Sequence, residues 1–359
     1  MSRLPAIIRT KSRRHVAHNR SLSWSPGRYF LNVNESYRGG EPVADVVRSG
    51  FTEGIHRGSV VVLDASGSIR NQLGDIESPI FPRSANKPMQ SVGALRSGLT
   101  FTDDADLAIA TASHRGEPFH IERVRRILRD ARLSESDLQC PADLPSDADA
   151  RDAVLAAGGG PSPIMMNCSG KHAAMLLTCL NAGWSTDDYL DPEHPLQVAN
   201  REAVIDLAGT QIGATGIDGC GAPLFAVPLL NLALAFQRFV DAEPGSHERA
   251  IADAMRAHPE LVSGTHGSDT QLMRAVPGLL SKGGAEGIAA IAVPGVGAVA
   301  VKIDDGQHRA AVPVAVAALR TLDLSGLDVD EESLDELAET PLLGGGEPVG
   351  AVVPLWPED

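Results

Sequence analysis

The chain has 359 residues, 43% of them hydrophobic, enough for one sizeable core. A formal net charge of −15 and an aromatic content of only 4% argue against nucleic acid and anionic lipid as partners. No run of about 18 apolar residues is present, so no helix is expected to cross a membrane.

Residues 1–40 carry Arg3, Arg9, Lys11, Arg13, Arg14 and Arg20, with no acid before Glu35. The pair Arg13-Arg14 is followed by His15-Val16-Ala17-His18, too polar for the apolar core of a cleaved signal. This segment reads as a disordered basic extension that cannot bury enough surface to offset its ordering entropy. Residues 41–359 read as a single domain. A cytoplasmic, reducing location follows, in which Cys140, Cys168, Cys179 and Cys220 stay out of disulfides.

Residues 59–70 read as two short strands joined by a turn at Gly67. Residues 107–112 read as a short buried strand ending at Ser113-His114-Arg115-Gly116-Glu117. From 121 to 133 the spacing of Ile121, Val124, Ile127, Leu128 and Leu133 predicts an amphipathic helix, and the acidic stretch 141–150 a surface excursion. Helical patterns then cover about 170–182, 192–208, 224–240, 246–258 and 310–322, while 289–294 and 297–303 form a central hairpin. Strands at both ends of a helical middle predict an α+β fold. Its antiparallel central sheet is flanked by helices and completed by both ends of the chain.

The first chemical motif is Arg83-Ser84-Ala85-Asn86-Lys87-Pro88. A serine and a lysine three positions apart share one face of a helix, and a neutral amine can take the hydroxyl proton. Lysine's ordinary pKa of ~10.4 leaves about one part in a thousand neutral near pH 7.4, a penalty of roughly 4 kcal/mol that burial and nearby positive charge reduce. Alone the motif is weak, because a capping serine followed by a surface lysine has the same spacing. Ser113-His114 and Ser281-Lys282-Gly283-Gly284 follow it in the order known from serine acyltransferases of the penicillin-binding type. Lys282 beside Ser113 would make a second Ser–Lys pair, though a solvated turn lysine fits the same sequence.

Asn167-Cys168-Ser169-Gly170-Lys171-His172 and, about fifty residues on, Asp218-Gly219-Cys220-Gly221 bring two thiols and nitrogen donors into play. Such a set suits zinc, with His172 the chemically ordinary third ligand, though two buried cysteines without metal fit the spacing equally. Cys140 and Cys179 have no comparable setting.

Together these motifs resemble the asparaginase II family, the rhizobial-type L-asparaginases, over residues from about 42 to beyond 302. The Asn-Cys-Ser-Gly-Lys-His block is the most specific mark. The resemblance implies a serine β-lactamase/glutaminase-like architecture, a homodimer, and hydrolysis of L-asparagine to L-aspartate and ammonia through an acyl-enzyme. It implies Ser84 as nucleophile with Lys87 as base, and Ser113 with Lys282 as the second pair. It also implies zinc on Cys168, Lys171 and Cys220, assisting substrate binding, with no organic cofactor. Arg83, His114 and Asp218 are candidates for the substrate's charges by position. A glutaminase or other small-amide hydrolase is the nearest alternative, and a non-catalytic zinc- and asparagine-binding sensor is another. The departures from the family pattern are the long basic extension and Arg115-Gly116-Glu117 after the Ser-His pair.

Overall fold

The computed structural model describes residues 36–356. The expected basic extension lies outside that range except for 36–40. There the Tyr37 hydroxyl donates to Asp304 Oδ1 at 2.5 Å, and Gly40 N–H to Asp304 Oδ2 at 3.0 Å.

Eight strands form one antiparallel sheet: β1 (Glu41–Arg48), β2 (Phe51–Asp64), β3 (Ile69–Leu73), β4 (Leu280–Gly284), β5 (Ile288–Val293), β6 (Gly297–Ile303), β7 (Thr340–Gly344) and β8 (Glu347–Pro354). The order is β7-β8-β1-β2-β6-β5-β4, with β3 also on β2. β2 organises this sheet. Its first half pairs with β1, from Arg48↔Phe51 to Glu41↔Gly58, and its second half pairs with β6, from Ile303↔Gly58 to Gly297↔Asp64. On the edge that β1 leaves free, β3 pairs with Val60 to Leu63. Ser59 to Leu63 are all buried, and the β-branched run Val60 to Val62 suits a strand covered on both faces. The last strand closes on the first through Val46↔Val352. The expected α+β architecture, with both ends of the chain in one antiparallel sheet, is the one found.

The helices that bear on the site are α1 (Lys87–Arg96), α2 (Asp104–Ala110), α3 (Pro118–Asp130), α4 (Ser169–Ala182), α5 (Pro195–Ala208), α6 (Leu229–Val240), α7 (His247–Ala257), α8 (Ser268–Ala275), α9 (His308–Leu319) and α10 (Glu331–Ala338). Both α6 and α9 pack on β5 and β6. α1 packs on α5 and α7, while α2 packs on α3, α4 and α7, giving a helical lobe joined to the sheet through α6. Small residues allow the close approach. A Cβ on Gly93 of α1 would come within 2.8 Å of the Ala199 carbonyl oxygen in α5, and one on Gly170 of α4 within 2.4 Å of the Ile109 carbonyl oxygen in α2.

Two local readings are corrected. Residues 107–112, expected as a strand, belong to α2 and the turn after it. Asp103 caps that helix by accepting from Ala105 N–H at 3.0 Å, and Asp104 and Asp106 lie in its first turn. A short apolar run has no period of its own, and this cap decides it. The helix expected over 224–240 begins only at Leu229, because 223–228 supply two short strands, Pro223–Phe225 and Val227–Pro228.

Candidate active site

Ser84 lies in a 3-10 turn, Arg83–Asn86, that runs directly into α1, with Pro88 in the first turn of the helix. The residue before it, Arg83, has φ +51°, a left-handed conformation that costs a non-glycine residue on the order of 1–2 kcal/mol. The edge strand β4 abuts this turn. A Cβ on Gly284 would lie 2.4 Å from the Pro82 carbonyl oxygen and 3.2 Å from Ser84 N, so only glycine fits there.

Ser113 follows α2 and is held through its N–H to the Val262 carbonyl at 2.9 Å. Lys87 is 1% exposed, and its Nζ donates to Ser113 Oγ at 3.0 Å and to the Ala112 carbonyl. Ser84, Ser113 and Lys282 line one cavity of about 760 Å³, together with Asn167, Asp269 and His308. The pairing within the quartet differs from the expected one. Lys87 reaches Ser113, whereas Lys282 Nζ donates to the Gly283 carbonyl at 2.7 Å and faces Asp269 Oδ2 at 3.5 Å.

Asp269 is the residue that sequence reasoning missed. It lies in the first turn of α8, is 6% exposed, and accepts from Ser281 Oγ at 2.7 Å and Gly283 N–H at 2.8 Å. Its burial would raise its pKa, but the charge of Lys282 and these hydrogen bonds hold it below the ordinary carboxylate value. Burial pushes Lys282 down to about 8, with Lys87's charge adding and Asp269 opposing. Lys282 therefore stands buried on a strand, near its titration point.

The three residues picked for substrate charges have these contacts. Arg83 Nε donates to Asp218 Oδ1 at 2.8 Å and its Nη1 lies 3.5 Å from Glu286, so two of the three satisfy each other. His114 is 1% exposed and uses both ring nitrogens. Nδ1 accepts from Gly116 N–H at 3.2 Å, and Nε2 is bonded to Ser169 Oγ at 2.8 Å. Burial holds its pKa well below the ordinary value, leaving a neutral ring stacked on His120.

Cys168 precedes α4 and Lys171 lies in its first turn, while Cys220 sits in a tight turn closed by Gly221 N–H to the Asp218 carbonyl at 2.8 Å. Lys171 Nζ lies 3.2 Å from Cys220 Sγ, and all three residues are buried. The adjacent Cys168 thiol and Lys171's charge lower the Cys220 thiol's pKa, while the Cys220 sulfur and burial raise that of Cys168. Burial works against the Lys171 ammonium, but the neighbouring thiols outweigh it. Two sulfurs and an amine converging in one dry pocket fit a thiophilic cation such as zinc. His172 belongs to the same cluster. Its Nδ1 is 2.7 Å from the Tyr189 hydroxyl, and its ring faces the Cys220 sulfur. Asn167 connects the cluster to the cavity, which it lines, by accepting from Cys168 Sγ at 3.0 Å.

The family model described as L-asparaginase II matches residues 44–354. No protein of curated function matches in sequence. Among solved structures, Mglu in its native form matches 74% of this chain at 15% identity with a TM-score of 0.41, and the match spans 63% of that chain's length. EstCE1, a hydrolase with promiscuous acyltransferase activity, matches 80% of this chain and 95% of its own at 13% identity and TM-score 0.36. A β-lactamase from Mycobacterium bovis matches 78% of this chain and 95% of its own at 13% identity and TM-score 0.32. No helix of the described residues is long and apolar enough to cross a membrane.

Proposed function

This chain belongs to the L-asparaginase II family, and on that premise we propose that it hydrolyses the side-chain amide of L-asparagine to L-aspartate and ammonia. The observation that carries the reading is the convergence of Ser84, Ser113 and Lys282 on one cavity, with Lys87 bonded to Ser113 beneath it.

Ser84 Oγ attacks the amide carbon while Lys87, three positions on, takes its proton. Backbone N–H groups around Ser84 stabilise the oxyanion, each worth roughly 3 kcal/mol when well placed. Lys87 is bonded to Ser113, so the proton passes by way of that hydroxyl to the departing nitrogen as the C–N bond breaks. Lys282, held protonated against Asp269, supports that delivery. Water hydrolyses the resulting ester, freeing aspartate and Ser84.

Cys168, Lys171 and Cys220 would hold zinc in this reading. When bound, the ion supplies positive charge and Lewis acidity beside Asn167, at the cavity wall. A homodimer working in the cytoplasm belongs to the same proposal. Glutamine is the second reading, since a cavity of about 760 Å³ admits the one extra methylene.

The test is ammonia release by purified protein from L-asparagine and L-glutamine, with and without added zinc. Release selective for asparagine supports the reading. Silence on both substrates refutes it.

A further inference from the structure

Arg115 lines the same cavity as Ser84, Ser113 and Lys282, and it is half-buried. Among the described residues its guanidinium has neither a hydrogen-bond partner nor an ion pair. The other cations around it are engaged. Arg83 is held by Asp218 and Glu286, Arg309 Nε donates to His56 Nε2 at 3.1 Å, and Lys282 faces Asp269 at 3.5 Å. Glu117, the acid nearest to Arg115 in sequence, is already committed. Its two oxygens accept from Thr265 N at 2.9 Å and Thr265 Oγ at 2.6 Å.

The side chain is also held in place. Its stem lies on Gly264, where a Cβ would come within 2.6 Å of Arg115 Cδ, and its carbonyl accepts from Asp147 N–H at 3.0 Å. Its charge reaches His308, whose ring packs against Gly283, the neighbour of Lys282. A half-buried guanidinium that lines the cavity without a partner among the described residues, in a chain of net charge −15, is open to an anion from outside.

We propose that Arg115 binds the carboxylate of the substrate, so that the site selects amides carrying a carboxylate apart from the scissile group. The planar fork of arginine suits this bidentate contact. The proposal rests on the amide-hydrolase reading for its substrate and deepens it by assigning a specificity residue.

The experiment compares L-asparagine with β-alaninamide, which is asparagine without its carboxylate, in the native protein, Arg115→Ala and Arg115→Lys. Arg115→Ala should raise KM for asparagine by roughly 10- to 100-fold with kcat little changed. Arg115→Lys should recover part of that loss, and turnover of β-alaninamide should be the same in all three proteins. An unchanged KM for asparagine, or an equal loss on both amides, overturns the proposal. Calorimetric binding of L-aspartate separates it from the hydrolase reading. Aspartate bound by the native protein and lost in a folded Arg115→Ala supports the proposal even where no amide is turned over, in which case only the hydrolase reading fails. Equal binding to both proteins, or none to the native one, overturns it.

Discussion

Lys87 Nζ lies 3.0 Å from Ser113 Oγ and donates to it, at a position where the lysine is 1% exposed. Ser84 stands three residues before the same lysine, at the head of the same helix. In the proposed mechanism one amine serves both hydroxyls. Ser84→Ala should lower kcat by roughly 10³-fold or more, because no other nucleophile replaces it. Ser113→Ala should cost about 10²-fold, the scale of a lost proton relay. Ammonia release alongside far-UV circular dichroism checks both, and an unchanged kcat in folded Ser84→Ala would eliminate the assignment.

The pH profile follows from Lys282. Its folded value of about 8 lies below the ordinary 10.5, and the proposed delivery of a proton needs the ammonium form. Activity should therefore fall as pH rises through about 8. Lys282→Arg keeps the charge at all working pH values, so any activity it retains should lack that falling limb. A limb that stays near the same pH in the arginine variant would assign it to another group.

Asp269→Asn removes the carboxylate facing a fully buried lysine. The variant should lose about 3 kcal/mol of unfolding free energy, the usual scale for leaving one member of a buried pair uncompensated. With the opposing charge gone, the Lys282 limb should also move to lower pH, since Asp269 is the group holding that pKa up against burial. Urea denaturation and the pH profile give the two readings. Native stability together with a native limb would show that the 3.5 Å contact is energetically idle.

Zinc is tested by content. The native protein, incubated with zinc and freed of excess, should retain about one ion per chain, while Cys168→Ser and Cys220→Ser should retain far less. Removal by chelator should raise KM more than it lowers kcat, since Ser84 and the two lysines stand without the ion. Full retention by both serine variants would place the metal elsewhere.

The helical lobe offers a test independent of chemistry. Gly170 of α4 faces the Ile109 carbonyl oxygen of α2, and an added Cβ would sit 2.4 Å from it. Gly170→Ala should destabilise the protein by about 1–3 kcal/mol as the two helices are forced apart. Because α4 carries Lys171 and α2 leads into Ser113, activity should fall with stability. A thermal melt identical to the native one would mean that the lobe yields without cost.

Much of this protein is readable along the chain. The amphipathic spacing of Ile121, Val124, Ile127 and Leu128 yields α3, and the apolar run after Gly297 yields β6, because helix and strand periods are properties of near neighbours. Ser84 with Lys87, and Cys168 with Lys171, are visible for the same reason, each within one helical turn. Residues 107–112 misled because so short an apolar run fits strand and helix alike, and the cap at Asp103 settled it.

Tertiary packing decided the rest. No spacing reveals that Lys87 bonds to Ser113, that Asp269 lies beside Lys282, or that Arg83 is consumed by Asp218. Nor does any motif mark Arg115 as a cavity cation whose guanidinium, among the described residues, meets no acid. Whether a charge is buried, paired or left open to a ligand depends on groups distant in sequence that folding brings within a few ångström. Desolvation and Coulomb attraction act at that distance, and the order of residues does not record it.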